Sequence, residues 1–417
     1  IAGIAVVPPN QALHFAAPLA TPVAQELLTP PAGAAPGDDA GEQGWLARLR
    51  AELAGALDRR LGAPGDLGVH LSGGVDSGAV AAWLARRGHR PHLFFLDFGA
   101  PYNTERPHAE RIAARLGLPL RPIPVAPAAR GAGRTLRRLA WHLGEPFGDP
   151  VTYPLHLGAA AVRAAGLPTL FNGEGGDQLF AGWPNRAMFA AEVFGAAGDP
   201  GDGDRARRYL HTFHHFYGQE AALHGPRLAE AARGSDLPGA VRRYLDEPRL
   251  PGLFDRLRWA NYWLKGGQNI LPRAAALARQ AGLAMHAPFF DRRLARFALS
   301  IPADHLLRGT AEKYLLKRLL AEDDLLPDSI LQRPKRGMGV PATAWCLGPW
   351  RREFRHLLRR LARRDLIRRD YLDALLKGED TPGELRRQRR LGEKIWQLGM
   401  LELWLELFYD ALTIASP

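Results

Sequence analysis

One cysteine, Cys346, is all the thiol chemistry that these 417 residues carry. A lone thiol excludes an internal disulfide and any multi-cysteine metal site, and it suits a reducing compartment such as the cytoplasm. No unbroken apolar run reaches the roughly 20 residues that a membrane-spanning helix needs, so no integral membrane protein is expected. The opening IAGIAVVPPNQALHF has neither a basic start nor a small-residue cleavage site, so no secretory leader is expected there. Acid is the scarcer charge: 43 Asp and Glu face 55 Lys and Arg, a formal net charge of +12. The excess gathers in stretches such as RREFRHLLRRLARRDLIRR (351–369). Leu357, Leu358, Leu361 and Ile367 recur there at roughly helical spacing, which predicts one amphipathic helix with a solvated basic face. Phe354 is the one Phe, Trp or Tyr among these arginines, short of the aromatic interleaving of a nucleic-acid surface, so a nucleic-acid partner is not expected.

What is present reads as an ordinary globular chain, long enough for two domains. Residues 28–44, LTPPAGAAPGDDAGEQG, have no apolar period and read as a linker. From Trp45 a helical pattern begins, and strands then alternate with helices. DLGVHLS (66–72) reads as a strand, 75–88 as a helix, PHLFFLDF (91–98) as a strand and 105–117 as a helix. LPLRPIPV (118–125) is a strand that its prolines push to an edge. Helices near 133–143 and 154–165 lead to a last strand, LPTLFN (167–172). GAAGDPGDGD (195–204) reads as a surface loop, and the remainder as mainly helical. This alternation predicts an α/β fold with a doubly wound parallel sheet, followed by a mainly helical C-terminal half. The expected division is 1–44, an α/β core at 45–200, and a helical part at 201–417.

Two glycine runs follow predicted strands, where open α/β sheets bind ligands. In the first, Ser72-Gly73-Gly74-Val75-Asp76-Ser77, glycines after a strand and before a helix let successive amides point at one anion. Ser72 and Ser77 can donate to phosphate oxygens. Asp76 would repel phosphate unless a divalent cation lies between them, and magnesium with oxygen ligands answers that need. The Lys-Ser/Thr pair of the Walker pattern is missing. In the second run, Gly173-Glu174-Gly175-Gly176-Asp177, Asp177 supplies a second carboxylate for the metal and Glu174 faces the chemistry at the α-phosphate. Each run alone could be a strand–turn–helix junction with Asp76 as a cap, or a loop with solvated acids. Two runs after two strands of one sheet favour a shared Mg-ATP site.

SGGVDS resembles the PP-loop of the ATP pyrophosphatases, whose fold is that of the adenine-nucleotide α-hydrolases. EPFGDPVTYP (145–154), NGEGGDQLFAGWP (172–184), HAPFFDRRLARFALSIP (286–302) and the run from EKYLLKRLL to RPKRGMGVP (312–341) resemble the synthetase domain of asparagine synthetases. The resemblance covers roughly residues 45–410. It implies a ligase in which ATP adenylates a carboxylate, aspartate in the first instance, pyrophosphate leaves, and ammonia or an amine attacks to give amide and AMP. It implies ATP contacts at Leu71, Leu96, Asn172 and Gly173, and a pyrophosphate cradle at Ser72, Gly73, Gly74, Val75, Asp76 and Ser77. Magnesium would lie on Asp76 and Asp177, with catalytic roles for Glu174 and for Lys313, which by spacing alone reads as an ordinary surface lysine. Lys335 and Arg336 could meet pyrophosphate or simply be solvated, and His286 reads as structural. Glu145 and Asp149 fall near the site by the same resemblance, or brace their loop.

The resemblance also has departures. Many family members carry an N-terminal glutaminase domain with a catalytic cysteine, and no such domain fits here; residues 1–44 read as the remnant of one and its linker. Nitrogen must then come from free ammonia, a glutaminase partner, or an amine on the substrate. Gln178 stands where the family has Glu, and Ala275, Ala276, Ala284 and His286 stand where it has an Asp-Arg pair and a Glu-x-Arg. The ATP side is therefore expected intact and the acceptor side altered. Amidating or β-lactam- and lasso-peptide-forming relatives, an RNA-modifying PP-loop enzyme and a non-catalytic nucleotide binder are the alternatives. A homo-oligomer is left open.

Overall fold

The structure is a computed structural model that describes residues 7–16, 21–31, 41–62, 65–182, 188, 204–378 and 387–410. Most of the loop read at 195–204 lies outside the described residues, as do 32–40 of the linker. A two-stranded antiparallel hairpin, β1 (Gln11–His14) with β2 (Val23–Glu26), precedes the helix α1 (Gly41–Asp58). The predicted alternation follows: β3 (Asp66–His70), α2 (Val75–Arg86), β4 (Arg90–Asp97), α3 (Arg106–Leu116), β5 (Leu120–Pro124), α4 (Ala132–Leu143), α5 (Thr152–Ala164), β6 (Thr169–Phe171) and α6 (Gly176–Leu179). A fifth strand, β7 (Ala284–His286), returns from the half read as helical.

The five strands β3 to β7 form one parallel sheet in the order β5-β4-β3-β6-β7. β3 is buried along its centre at Leu67, Gly68 and Val69, as a strand covered on both faces must be. β5, with Pro122 and Pro124, lies at the edge, where a missing N–H costs no ladder bond. The chain builds outward from β3 through β4 to β5, then crosses back to place β6 on the other side of β3. The order therefore reverses between β3 and β6, and such a reversal opens a crevice beyond the strand ends.

Trp45, Leu46, Leu49 and Leu53 of α1 join the sheet core together with Leu294 and Phe297. A second core forms where Leu136, Leu139 and Ala140 of α4 meet Trp345, Trp350, Phe354 and Trp396 from the C-terminal helices. Trp350 is fully buried and donates from Nε1 to the Ala128 carbonyl at 3.0 Å. Among the described residues no helix is long and apolar enough to cross a membrane.

The arginine-rich stretch departs from its reading as one helix. Its helix stops at Ala362, Asp365 takes a left-handed φ of 55°, and Ile367 leaves to form a β-bridge with His224. Nor is the basic face simply solvated. Arg360 pairs with Glu402 at 3.2 Å and Glu406 at 2.9 Å, and Arg364 pairs with Glu402 at 2.6 Å and Asp410 at 2.7 Å. Glu402 is fully buried in the last helix (Arg387–Trp404), so these arginines hold two helices together.

Arg258 holds the second glycine run against the helical half. It is buried, with Nη2 donating to the Leu179 carbonyl at 2.7 Å and to the Ala298 carbonyl at 2.5 Å, while Nε also reaches Leu179 O at 3.2 Å. Burial pulls its pKa down to about 10, with Asp255 opposing. Arg258→Met should cost about 2–4 kcal/mol in urea unfolding, because several buried acceptors lose their donors at once. A loss under 1 kcal/mol would show that the carbonyls are satisfied otherwise.

Candidate active site

The two glycine runs start at the ends of β3 and β6, the adjacent strands at the reversal. Leu71 N donates to Phe94 O at 2.9 Å, which fixes where the first run begins. The Ser72 and Ser77 hydroxyls are 3.0 Å apart, and Ser77 Oγ also accepts from Ser72 N at 3.0 Å, so the turn is closed by its own serines. Gly73 has φ +79°, and a Cβ there would lie 2.7 Å from the Glu105 carbonyl. A Cβ on Gly173 would lie 2.5 Å from Ser77 N and 2.6 Å from the Asp76 carbonyl carbon. The two runs thus touch backbone to backbone, and only glycine permits it. Asn172 N donates to His286 O at 3.1 Å, and the Asn172 side chain accepts from Glu174 N at 3.2 Å, which ties the second run to β7. His286 packs its ring 4.9 Å from that of Phe171.

Asp76 does not cap its helix. Gly74 occupies the N-cap of α2 without a side-chain hydrogen bond, and the Asp76 carboxylate instead meets a lysine from far along the chain. Two short strands, β8 (Leu307–Arg308) and β9 (Ala311–Glu312), pair antiparallel and deliver Lys313, whose φ of 57° is left-handed. Such a backbone for a non-glycine residue stores strain that the surrounding structure must hold. Lys313 is only 2% exposed. Its Nζ bonds Asp76 Oδ2 and lies 2.5 Å from Asp177 Oδ1, while Lys335 Nζ lies 2.8 Å from Asp177 Oδ2. Both predicted metal carboxylates are therefore joined through one buried ammonium.

Their protonation is unequal. Burial drives the Asp76 carboxyl up, Lys313 offsets this only in part, and the nearby Asp177 adds to the rise. For Asp177 burial also pushes upward, but Lys313 and Lys335 together hold it well below the usual carboxylate range. Lys313 is held above its ordinary value: burial opposes its charge, and Asp177 and Asp76 more than compensate.

Glu174 stands apart from this pair. Its Oε2 is sealed from solvent without a hydrogen-bond partner. Burial pushes its pKa up to about 7, with the field of Arg273 opposing and that of Asp149 adding. Asp149 braces its own loop by accepting from Val151 N at 2.9 Å and also accepts from Arg273 Nη1 at 2.5 Å.

A small cavity of about 30 Å³ opens above the first run, lined by Gly74, Val75, Lys313, Lys317, Lys335 and Arg336, among others. Arg333 forms its rim, pairing with Glu105 at 2.7 Å and reaching the Gly73 carbonyl at 3.3 Å. Glu312 accepts from Lys335 N at 2.6 Å, which fixes the segment that carries these cations.

The donor set fits magnesium. Asp76 Oδ1 is buried and has no hydrogen-bond partner, a hard oxygen left for another electrophile. Among the described residues no three His, Cys, Asp or Glu side chains cluster as a self-sufficient metal cage. Two carboxylates completed by phosphates and water are what magnesium ordinarily takes.

The structure brings Ser72, Gly73, Gly74, Val75, Asp76, Ser77, Asn172, Gly173, Glu174, Asp177 and Lys313 to one end of the sheet. Leu71 and Leu96 lie buried at the ends of neighbouring strands. Arg273 was missed from sequence. Its one signal is an arginine on the buried face of the helix Leu271–Gln280, otherwise alanine and leucine. Cys346 is buried in the C-terminal core, where Sγ donates to Gly392 O, far from this chemistry in sequence and in packing.

The comparisons with known proteins agree with the geometry. The family model described as asparagine synthase matches residues 48–406. A Mycobacterium tuberculosis protein named as a candidate glutamine-hydrolysing asparagine synthetase is 26% identical over 353 residues, covering 78% of this chain and 52% of that one. Glutamine-hydrolysing asparagine synthetase 1 of Bacillus subtilis is 24% identical over 368 residues, covering 81% and 55%. The glutamine-hydrolysing asparagine synthetase of Gallus gallus is 39% identical over 64 residues, 15% of this chain and 11% of that one. The chain spans about half the length of the first two.

Proposed function

Because the chain belongs to the asparagine synthase family, we propose that it is an amide-forming ligase that activates a carboxylate with ATP and passes the acyl group to ammonia or an amine. Aspartate and ammonia are the first reading. One observation carries it: a buried lysine joins the carboxylates of two glycine runs at the reversal of the sheet. The parts at 45–200 and 201–417 act as one unit in this reading, since Lys313 and Arg273 of the second complete a site whose loops belong to the first. The cytoplasm is the proposed location, and a glutaminase partner or domain the proposed source of ammonia in the cell.

The amides of 73–77 and the Ser72 and Ser77 hydroxyls hold the β- and γ-phosphates, aided by the positive end of α2. Asp76 and Asp177 would hold the magnesium, which when bound neutralises phosphate charge. The substrate carboxylate attacks the α-phosphorus, the bond to the bridging oxygen breaks, and pyrophosphate leaves toward Lys317, Lys335 and Arg336. Lys313 stabilises the charge that develops on the α-phosphoryl and acyl oxygens, where a fixed cation in a water-poor site is worth most. The amine then attacks the acyl carbon, the carbon–oxygen bond to AMP breaks, and ionised Glu174 takes the amine proton. A different acid or amine is the second reading, favoured by Ala275, Ala276, Ala284 and His286 on the acceptor side.

Nucleotide analysis with Mg-ATP, aspartate and ammonium, each omitted in turn, tests the proposal. AMP and pyrophosphate are expected only with an acid present, and Asp76→Asn or Asp177→Asn should lower their release at least about a hundredfold. Acid-independent AMP, or full turnover in both variants, would overturn it.

A further inference from the structure

Two neighbouring helices use their arginines differently according to the side that each one faces. Leu136 and Leu139 of α4 enter one core with Phe354, Leu357 and Leu361 of the helix Arg351–Ala362. Near their starts the two helices meet closely: a Cβ on Gly133 would lie 2.6 Å from Glu353 Oε1. Further along, Glu406 takes Arg137 from α4 and, at 2.9 Å, Arg360 Nη1 from the other helix. Start meets start and later turn meets later turn, so the two run side by side in the same direction. The arginines that face this seam are neutralised by its acids.

The outward sides are not. With about 3.6 residues per turn, Arg134, Arg138 and Trp141 lie opposite the buried stripe of α4, and Arg130 stands just ahead of them. Arg352, His356, Arg359 and Arg363 lie opposite the buried stripe of the second helix. All of these side chains are exposed, and no acid stands on either outward stripe. Among the described residues none of the six arginines forms an ion pair. Their charge equals half of the chain's formal excess of +12. At a rise of about 1.5 Å per residue, Arg352 and Arg363 stand about 16 Å apart along the axis. Over that length one strand of B-form DNA carries about five phosphates. Trp141, 58% exposed, ends the row on α4, and Phe408 braces one face of its indole with ring centroids 5.4 Å apart and planes within 9°.

The composition of this face selects its partner. A protein interface keeps its centre poor in charge, and a helix that settles on a bilayer sinks apolar side chains below the head groups. The outward stripes carry no aliphatic side chain for either use. Nucleic-acid interfaces are the strongly positive ones. Guanidinium forks suit phosphate oxygens, and an exposed indole offers an unpaired base a surface to stack on. The stretch 351–369 by itself lacks that platform, because Trp141 arrives from a helix far earlier in the chain. We infer that this double row of arginines binds a single strand of nucleic acid, with phosphates along the rows and a base on Trp141. None of these residues belongs to the proposed ATP site, so the assignment does not depend on the ligase reading.

Fluorescence anisotropy of an end-labelled oligouridylate, titrated with the full chain at several salt concentrations, tests it. In wild type the logarithm of the binding constant should fall with that of salt at a slope of about −4, six phosphate contacts at about 0.7 each. Arg134→Glu combined with Arg359→Glu should weaken binding about tenfold or more and flatten the slope by about 1.4. Trp141→Ala should weaken it about fivefold or more with the slope unchanged, the loss of one stacked base. Arg233→Glu combined with Arg296→Glu changes the net charge equally at exposed sites elsewhere and should bind like wild type. The replaced arginines are exposed, so urea midpoints of both pairs should match wild type.

Failure of wild type to bind the RNA at low salt overturns the assignment, as does an equal loss of affinity in the two arginine pairs. Unaltered affinity in both Trp141→Ala and the Arg134/Arg359 pair overturns it too. Tighter binding of wild type to phosphatidylglycerol vesicles or to polyglutamate than to the RNA would replace the strand with a membrane or an acidic protein.

Discussion

Lys313→Met is expected to silence acid-dependent pyrophosphate release, with a loss of about a thousandfold or more. Among the described residues the lysine is the one cation that contacts both Asp76 and Asp177, and removing a preorganised charge from a water-poor site commonly costs about 100- to 1,000-fold on its own. Here the substitution also strips two buried carboxylates of their shared partner, which should cost about 3–5 kcal/mol of stability. The pH dependence distinguishes this from a generic core lesion. In wild type Asp177 is held below its ordinary value, so it adds stability above its unfolded pKa, and that stability is lost as pH falls through the folded pKa. In the variant, burial and the Asp177 charge would act on Asp76, already raised in wild type, without the opposing ammonium, and lift it further. Stability should then rise more steeply as pH falls from about 7 to 5 than it does in wild type, where Asp76 and Glu174 are already raised and give a slope of the same sign. Urea unfolding at three pH values reads it directly. Parallel slopes in the two proteins would mean that Lys313 does not neutralise the pair in solution.

Glu174→Gln is the second large effect, and it should act in opposite directions on rate and on stability. The carboxyl titrates at about 7 because it is buried. A carboxyl raised in the folded state costs stability progressively as pH climbs from its unfolded value toward about 7, up to about 3 kcal/mol at 1.36 kcal/mol per pH unit. Glutamine cannot ionise, so the variant should match wild type near pH 5 and exceed it at pH 8. Amide formation should meanwhile fall at least about a hundredfold with loss of the proton acceptor. The wild-type rate should rise with pH through about 7, and that limb should vanish in the residual activity of the variant. A variant that is less stable than wild type at pH 8 would contradict the burial argument. A retained acid limb would assign the titration to another group.

Much of this was legible in the residues. Glycine next to a strand end, serines and an aspartate in one short run and a second such run after another strand are the pattern from which a phosphate site at the strand ends is proposed. The prolines of 118–125 placed their strand at the edge, because a missing N–H is tolerated only there. The strand at 284–286 was not legible: three residues carry no measurable period, and Ala284, Met285 and His286 become a strand only because β6 offers an open ladder beside them. The arginine stretch misled for a related reason. Spacing alone cannot see Glu402, Glu406 and Asp410, which lie some forty residues later and turn part of a solvated face into an interface.

The sequence by itself determined the local chemistry: which turns could accept left-handed backbone, which strands could lie at the centre of the sheet, and which loops could wrap a phosphate. These follow from each residue and its near neighbours, so they can be read without the fold. Tertiary structure alone decided which charges meet. It set Lys313 between two aspartates more than a hundred residues away, left Arg273 Nε without a partner among the described residues while Arg258 bonds through all three nitrogens, and sealed Glu174 until its carboxyl titrates near neutrality. Burial and long-range pairing fix the energy of a charge, and neither is a property of local sequence.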